Sequence, residues 1–222
     1  MNNESTGGRI VFTSPGIAQV SASAVVERAA ALILLLGAGP AIAAAGAVVS
    51  LLSRRSPFVA HRRVGRHGQE FWMLKLRSMW NRREPAGGPS AWVERIVSEP
   101  DEDREKNPAD PRVTSRVAAF LRRHSIDELP QLWHIVRGEM SLVGPRPLTR
   151  TEVMRHFGDC AGELLSVKPG ITGLWQIRGR STVKFPARAA LDLELVRSLT
   201  PKLYFEILLR TLPALLSGKG AW

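Results

Sequence analysis

The stretch AAALILLLGAGPAIAAAGAVVSLLS, residues 29–53, decides the architecture. It carries no charge, and as an unbroken helix it would reach roughly 37 Å, enough to enter or cross a bilayer. Gly37, Gly39 and Pro40 fall near its middle. Pro40 has no N–H to donate to the carbonyl four residues back, so the sequence predicts a helix broken near Pro40. Such a segment can span the membrane or dip in and return to the same face. Arg54, Arg55, Arg62, Arg63 and Arg66 follow it, whereas Glu4 and Glu27 balance Arg9 and Arg28 ahead of it. The basic flank places the C-terminal side in the cytoplasm. The same arginines would also attract anionic headgroups. The neutral residues ahead of the segment argue against a cleaved signal peptide, which needs a positively charged start.

Outward from this segment the chain divides into three parts. Residues 1–24 are polar and lack helical periodicity, which predicts a mobile tail; residues 25–55 form the membrane-embedded segment; residues 56–222 form a cytoplasmic domain. With 222 residues and 44% of them apolar, one domain can bury a real core and two are unlikely. The single cysteine, Cys160, excludes a disulfide framework and a multi-cysteine zinc site. The net charge of +11 points to an acidic partner, either nucleic acid, a membrane surface or a phosphorylated substrate. Residues 69–79, QEFWMLKLRSM, read as a strand after a turn at Gly65 and Gly68. The Pro- and Gly-rich, acidic stretch 80–109 reads as a solvated insertion. Residues 115–125 and 201–216 have helical periodicity, the latter with Leu203, Ile207 and Leu208 near one face. That helix is expected to pack on the domain, with a place at the membrane surface as the alternative. The fold class expected is α+β, mostly helical with a small β element.

The densest chemistry lies in HSIDELPQLWHIVRGEMSLVGPRPL, residues 124–148. Asp127 and Glu128 stand together at an expected helix start, where Ser125 with Glu128 would form a capping box and Asp127 is itself a good N-cap. Capping accounts for one carboxylate. The other reading uses both: a helix dipole, guanidinium groups and a divalent cation can hold two neighbouring carboxylates ionised, Asp127 keeping a low pKa. An ionised aspartate is a competent nucleophile toward phosphorus, given cations to absorb phosphate charge. Lys75, Arg77, Arg122 and Arg146 are the candidates, Arg146 stiffened by a proline on each side. A later cluster, KPGITGLWQIRGRS (168–181), adds glycines and Arg178 but is no Walker loop, and Trp175 reads as a core residue. The five histidines show no metal-ligand spacing.

These motifs, RVG (63–65), KLRSM (75–79), DPRVT (110–114), SIDELPQLW (125–133), GEMSLVGPRP (138–147) and PGITGLWQIRGR (169–180), occur in the order found in bacterial sugar transferases. The chain resembles the compact, singly anchored phosphoglycosyl transferases of that family over roughly residues 25–215. The resemblance implies that Asp127 attacks the β-phosphorus of a UDP-sugar, releases UMP and carries a phosphosugar, which polyprenol (undecaprenyl) phosphate then takes up. It implies that Glu128, with Asp127, assists the metal, Mg²⁺ or Mn²⁺, and that Arg146 lies near the phosphates; Lys75, Arg77, Arg122 and Arg178 are the further candidates for substrate binding. It further implies a re-entrant anchor with both ends cytoplasmic at the bacterial inner membrane, a lipid bilayer as partner, and the start of surface glycan assembly. A homodimer is admitted; nucleic acid is not expected. Three positions depart from the family pattern: His61 for glutamine, His134 for asparagine and Tyr204 for aspartate.

Two readings from other classes compete. One is a non-catalytic, membrane-tethered binder of anionic lipid or nucleic acid, which +11 permits although no nucleic-acid-binding motif is present. The other is an inactive scaffold in a glycan-assembly complex.

Overall fold

A computed structural model describes residues 24–80, 92–96, 115–179 and 184–217. Residues 1–23 of the expected tail (1–24), most of the expected insertion, the DPRVT motif and Arg180 lie outside the described residues, while Ala24 already belongs to the first helix.

The chain begins in a 30-residue helix, α1 (Ala24–Ser53), which fits the apolar stretch. Pro40 does not break it: the helix runs through that position. One backbone hydrogen bond is forgone, and packing on either side of the proline holds the course. Near its start Ala31 and Leu35 pack on Leu132, Ile135 and Met140, and near its end Ala45 and Val49 pack on Trp80, Ala118 and Leu121. Both ends of α1 therefore rest on the same domain. The opposite face is apolar and bare, with Val25 77% and Leu51 79% exposed and Ile33, Leu34 and Leu36 alongside. Each such side chain forfeits about 1.5–3 kcal/mol relative to burial, a cost that a bilayer removes. Among the described residues α1 is the one helix long and apolar enough to cross a membrane.

The larger sheet has the order β2–β1–β3. Strand β1 (Phe58–Val64) pairs antiparallel with β2 (Glu70–Leu76), Phe58 opposite Leu76 and Val64 opposite Glu70. The turn between them closes where Gly65 donates to the Gln69 carbonyl at 2.7 Å, and Gly68 takes a positive φ of 77°. The third strand, β3 (Val93–Ile96), runs parallel to β1 and falls inside the expected insertion; within it Trp92 to Arg95 are exposed as expected, whereas Trp80 is buried and Val93–Ile96 joins the sheet. Arg63, read with its neighbours as a headgroup-facing cation, is buried on β1.

Helix α2 (Arg116–Arg123) is capped by Ser115, whose hydroxyl accepts from the Ala118 N–H at 3.0 Å. A 3₁₀ turn (Ile126–Gln131) leads into α3 (Leu132–Arg137), then β4 (Ser141–Val143), α4 (Arg150–Phe157) and α5 (Ala161–Leu164). Strand β5 (Gly170–Thr172) pairs parallel with β4, followed by α6 (Leu174–Arg178), α7 (Phe185–Ser198) and α8 (Pro201–Ser217). The fold is mostly helical with two small sheets, as expected. Helix α8 packs Leu203, Ile207 and Leu208 near Val143, Leu174 and Leu195, so the packed reading holds, while Phe205, Leu209 and Leu212 stay exposed on its outer side.

Candidate active site

The carboxylate pair sits on the 3₁₀ turn, and its first residue decides how it is presented. Ser125 has a positive φ of 53° and makes no side-chain cap bond, so the expected capping box does not form. The left-handed residue turns the chain sharply out of α2, and the turn closes through its carbonyl, which accepts from the Glu128 N–H at 3.1 Å. A capping box does occur in the chain, at Thr149 with Glu152 on α4. Freed from capping, both carboxylates face β2 and the residues just after it.

Asp127 is buried and its Oδ2 accepts from the Ser78 hydroxyl at 3.1 Å. Glu128 is half-buried and its Oε1 takes the Lys75 ammonium at 3.2 Å. Lys75 and Ser78 flank the end of β2, so the KLRSM motif supplies a cation to one carboxylate and a hydroxyl to the other. The low pKa expected for Asp127 is corrected by this geometry. Burial, and then the neighbouring Glu128 charge, push Asp127 up to about 6 against the pull of Lys75, Arg122 and the Ser78 bond. Among the described residues no group of three or more His, Cys, Asp or Glu gathers as a metal site, and the hard-oxygen donors at hand are these two carboxylates.

Of the expected substrate-binding residues, Lys75 and Arg122 stand at the pair. Arg77 is buried and held elsewhere, its Nε donating to the Ser56 carbonyl at 2.8 Å and its Nη2 meeting Glu94 of β3 at 2.5 Å. This ties the sheet together. Arg178 is exposed and pairs with Glu194 of α7 at 2.9 Å.

Arg146 belongs to a second cluster. Its backbone N–H donates to Asp192 Oδ1 of α7 at 3.4 Å, and its guanidinium lies 5.7 Å from the Trp175 ring, with Arg188 at 5.1 Å from the same ring. Trp175 is buried as expected and also serves as a cation–π platform. Asp192 is 2% exposed, and burial raises it to about 7 although Arg146 and Arg188 oppose the shift. The GPRP loop is fixed by close backbone approach: Gly144 donates to the Thr172 carbonyl at 2.9 Å and Gly170 to the Pro145 carbonyl at 2.8 Å. A Cβ on Gly144 would stand 2.5 Å from the Lys168 carbonyl oxygen, so only glycine fits.

The places of Ser78, Asp192 and Arg188 are not legible in the sequence. Ser78 belongs to KLRSM, but nothing in that motif says which carboxylate its hydroxyl meets. Asp192 and Arg188 are spaced one helical turn apart on α7, a signal indistinguishable from a solvated helix face until the partner loop is placed.

His134 is the other buried polar group near the pair. Its Nε2 accepts from the Leu74 N–H at 3.0 Å and its Nδ1 meets Glu139 at 2.6 Å, so the ring is neutral with the proton on Nδ1. Burial holds its pKa below the usual histidine range, against the Glu139 carboxylate.

A buried aspartate with an adjacent glutamate, a lysine and an arginine thus lies in the same domain as a second cluster of guanidinium groups on a glycine-rich scaffold, an arrangement chemically suited to phosphate. The family model for bacterial sugar transferases matches residues 18–218, and the chain belongs to that family. It is 43% identical over 169 residues to the UDP-galactose-lipid carrier transferase of Erwinia amylovora, covering 75% of this chain and 35% of that protein. Against the exopolysaccharide production protein ExoY of Rhizobium meliloti it is 38% identical, covering 87% of this chain and 84% of that one. The undecaprenyl-phosphate galactose phosphotransferase of Salmonella typhimurium is 39% identical over 73% of this chain and 34% of its own length. The chain thus spans about a third of the length of the Erwinia and Salmonella relatives and most of the Rhizobium one.

Proposed function

We propose that the protein is a phosphoglycosyl transferase that moves a sugar-1-phosphate from a UDP-sugar to undecaprenyl phosphate and so starts a surface glycan. The observation that carries this reading is the release of Asp127 and Glu128 from capping: neither is spent on a helix end, and Lys75, Arg122 and Ser78 gather around them. In the first step an Asp127 carboxylate oxygen forms a bond to the β-phosphorus while the bond from that phosphorus to the bridging oxygen breaks and UMP leaves. In the second, a phosphate oxygen of the lipid attacks the same phosphorus and returns the carboxylate to Asp127. Ser78 orients Asp127, and Lys75 holds Glu128 and offers charge to the diphosphate. Asp127 and Glu128 suit Mg²⁺ or Mn²⁺, because magnesium takes one or two carboxylates and fills its remaining positions with phosphate oxygens and water. When bound, the ion would neutralise diphosphate charge. Arg146, held by Asp192 and Trp175, is assigned to substrate phosphate.

The anchor enters the cytoplasmic face of the inner membrane from one side, a reading supported by the packing of both ends of α1 on one domain. A cysteine introduced ahead of α1 should resist membrane-impermeant labelling in intact cells, and its labelling would make α1 a span. The catalytic reading is tested by UMP release from purified protein with undecaprenyl phosphate, Mg²⁺ and UDP-sugars offered one at a time. Release from one donor that is lost in Asp127→Asn supports it, and equal release by both proteins overturns it. Retained lipid binding without turnover on any donor would favour the tethered binder or scaffold.

A further inference from the structure

The beginning of α1 carries a group of cations that the carboxylate pair does not use. Glu27 spends its Oε1 on the Ser141 hydroxyl at 2.6 Å, the Leu142 N–H at 2.7 Å and the Tyr204 hydroxyl at 2.5 Å, which pins α1 to β4 and α8. The next residue, Arg28, lays its guanidinium against the bare Cα of Gly138, a position with a φ of +79° where a side chain would collide with it. Ser141 donates to the Pro169 carbonyl at 2.9 Å, which brings Lys168 to the same end of β4. From the other side the β1–β2 turn arrives: Arg66 Nε donates to the Ser166 carbonyl at 2.9 Å and the His67 N–H to the Leu165 carbonyl at 2.8 Å.

Three cations from three separate segments thus converge. Lys168 is half-buried, and among the described residues it has no hydrogen bond or ion pair. The charges that bear on it are Arg28 and Arg66, of its own sign, and the single carboxylate of Glu27, whose Oε1 holds three donors and whose charge offsets the two guanidinium groups in part. Burial first, then the two guanidinium groups, hold its pKa below the usual lysine range. A folded chain keeps such a group at a cost unless an anion completes it. Planar guanidinium forks and an ammonium suit the several oxygens of a phosphate better than a single carboxylate. Bare apolar residues, Val25 and Val26, flank Arg28 on α1, which places the group where that helix meets lipid.

We propose that Arg28, Arg66 and Lys168 form a phosphate-binding site, built from residues other than the carboxylate pair, at the level where α1 enters the membrane. The ligand chemistry is a phosphate oxyanion, borne either by a lipid headgroup or by a soluble ester. The site goes beyond the transfer reaction and does not depend on Asp127.

The test follows the rate at which trinitrobenzenesulfonate modifies each lysine of the detergent-purified full chain, read by peptide mass spectrometry, with decyl phosphate or inorganic phosphate added. Lys168 should be protected about tenfold at a ligand concentration roughly ten times the dissociation constant, while exposed Lys202 on α8 should react unchanged. Protection by decyl phosphate alone assigns the site to a lipid headgroup; equal protection by inorganic phosphate assigns it to a soluble ester. Arg28→Gln with Arg66→Gln should abolish protection, Arg28→Lys should retain part of it, and Asp127→Asn should retain all of it. An unchanged Lys168 rate with both phosphates, or protection that survives the double arginine substitution, would overturn the proposal. UMP release by the wild type tests the transferase reading separately, so either claim can fail alone.

Discussion

Two buried aspartates, Asp127 and Asp192, are both raised by burial, to about 6 and about 7, and the similarity ends there. Asp127 has a second carboxylate beside it, sits on a 3₁₀ turn and receives one hydroxyl bond. Asp192 sits inside a 14-residue helix, faces two arginines and accepts a backbone N–H from one of them. The first is strained by a neighbour of its own sign, a strain that a cation or an electrophilic phosphorus relieves. The second is surrounded by opposite charge and has nothing to react with, so its effect passes through Arg146. Burial raises both aspartates in this fold; what sets Asp127 apart is the second carboxylate beside it.

The sharpest break in the comparison comes from exchanging each aspartate for its amide. Asp127→Asn should lower turnover by on the order of 10³-fold or more, because the attacking oxygen is gone while the shape is kept. Asp192→Asn keeps shape and a hydrogen-bond acceptor, and should cost about tenfold to a hundredfold, the scale of a misplaced binding group. Steady-state assays with the productive donor separate the two. A loss for Asp192→Asn as deep as that for Asp127→Asn would merge the clusters into one reacting centre.

A pH series sharpens the same contrast. The folded pKa of Asp192 is raised, so its contribution to stability is fully present below the ordinary aspartate value near 3.8 and is lost as pH rises through about 7. Asp192→Asn should therefore gain thermal stability relative to wild type between pH 5 and pH 8, read as the difference in melting temperature in detergent.

Smaller effects are expected at two positions outside the aspartates. Glu27→Ala removes the acceptor from the Leu142 N–H and the Tyr204 hydroxyl, and should lower stability by about 1–3 kcal/mol in denaturant unfolding. The Tyr204 hydroxyl, raised by burial and by Glu27, stays protonated and donating throughout. His134 is needed neutral, because its Nε2 accepts from Leu74, next to Lys75. Its folded pKa lies below the unfolded value of 6.5, so that contribution is present above pH 6.5 and is lost as pH falls. His134→Asn should flatten the acid side of the stability profile by about 1 kcal/mol, a single hydrogen bond's worth.

Much of this was legible in the residues. The apolar run announced α1, the periodicity of residues 201–216 announced α8, and the motif residues Lys75, Asp127 and Glu128 do meet, with Arg122 beside them. What the residues hid was set by tertiary contact. Pro40 looked like a break because local rules count the lost hydrogen bond and cannot count the packing on both sides of it. Ser125 looked like a cap because its type suits one, whereas the chain needs it left-handed to turn out of α2. Strand β1 was obscured by His61, Arg62 and Arg63, and its burial, with Val59 and Ala60 and then Arg63 and Val64 turned inside as adjacent pairs, follows no two-residue alternation that the sequence could display. Arg77 and Arg178 have the right type for phosphate and are occupied with Glu94 and Glu194, a fact that no spacing reveals.

A phosphosugar carried by Asp127 is tested most directly by the intact mass of the protein mixed with a productive UDP-sugar in the absence of lipid acceptor. The expected result is a mass increase of one phosphosugar that maps to the peptide containing Asp127, is absent from Asp127→Asn and disappears when undecaprenyl phosphate is added. Turnover with no adduct at any time, or an adduct that persists in Asp127→Asn, would contradict it.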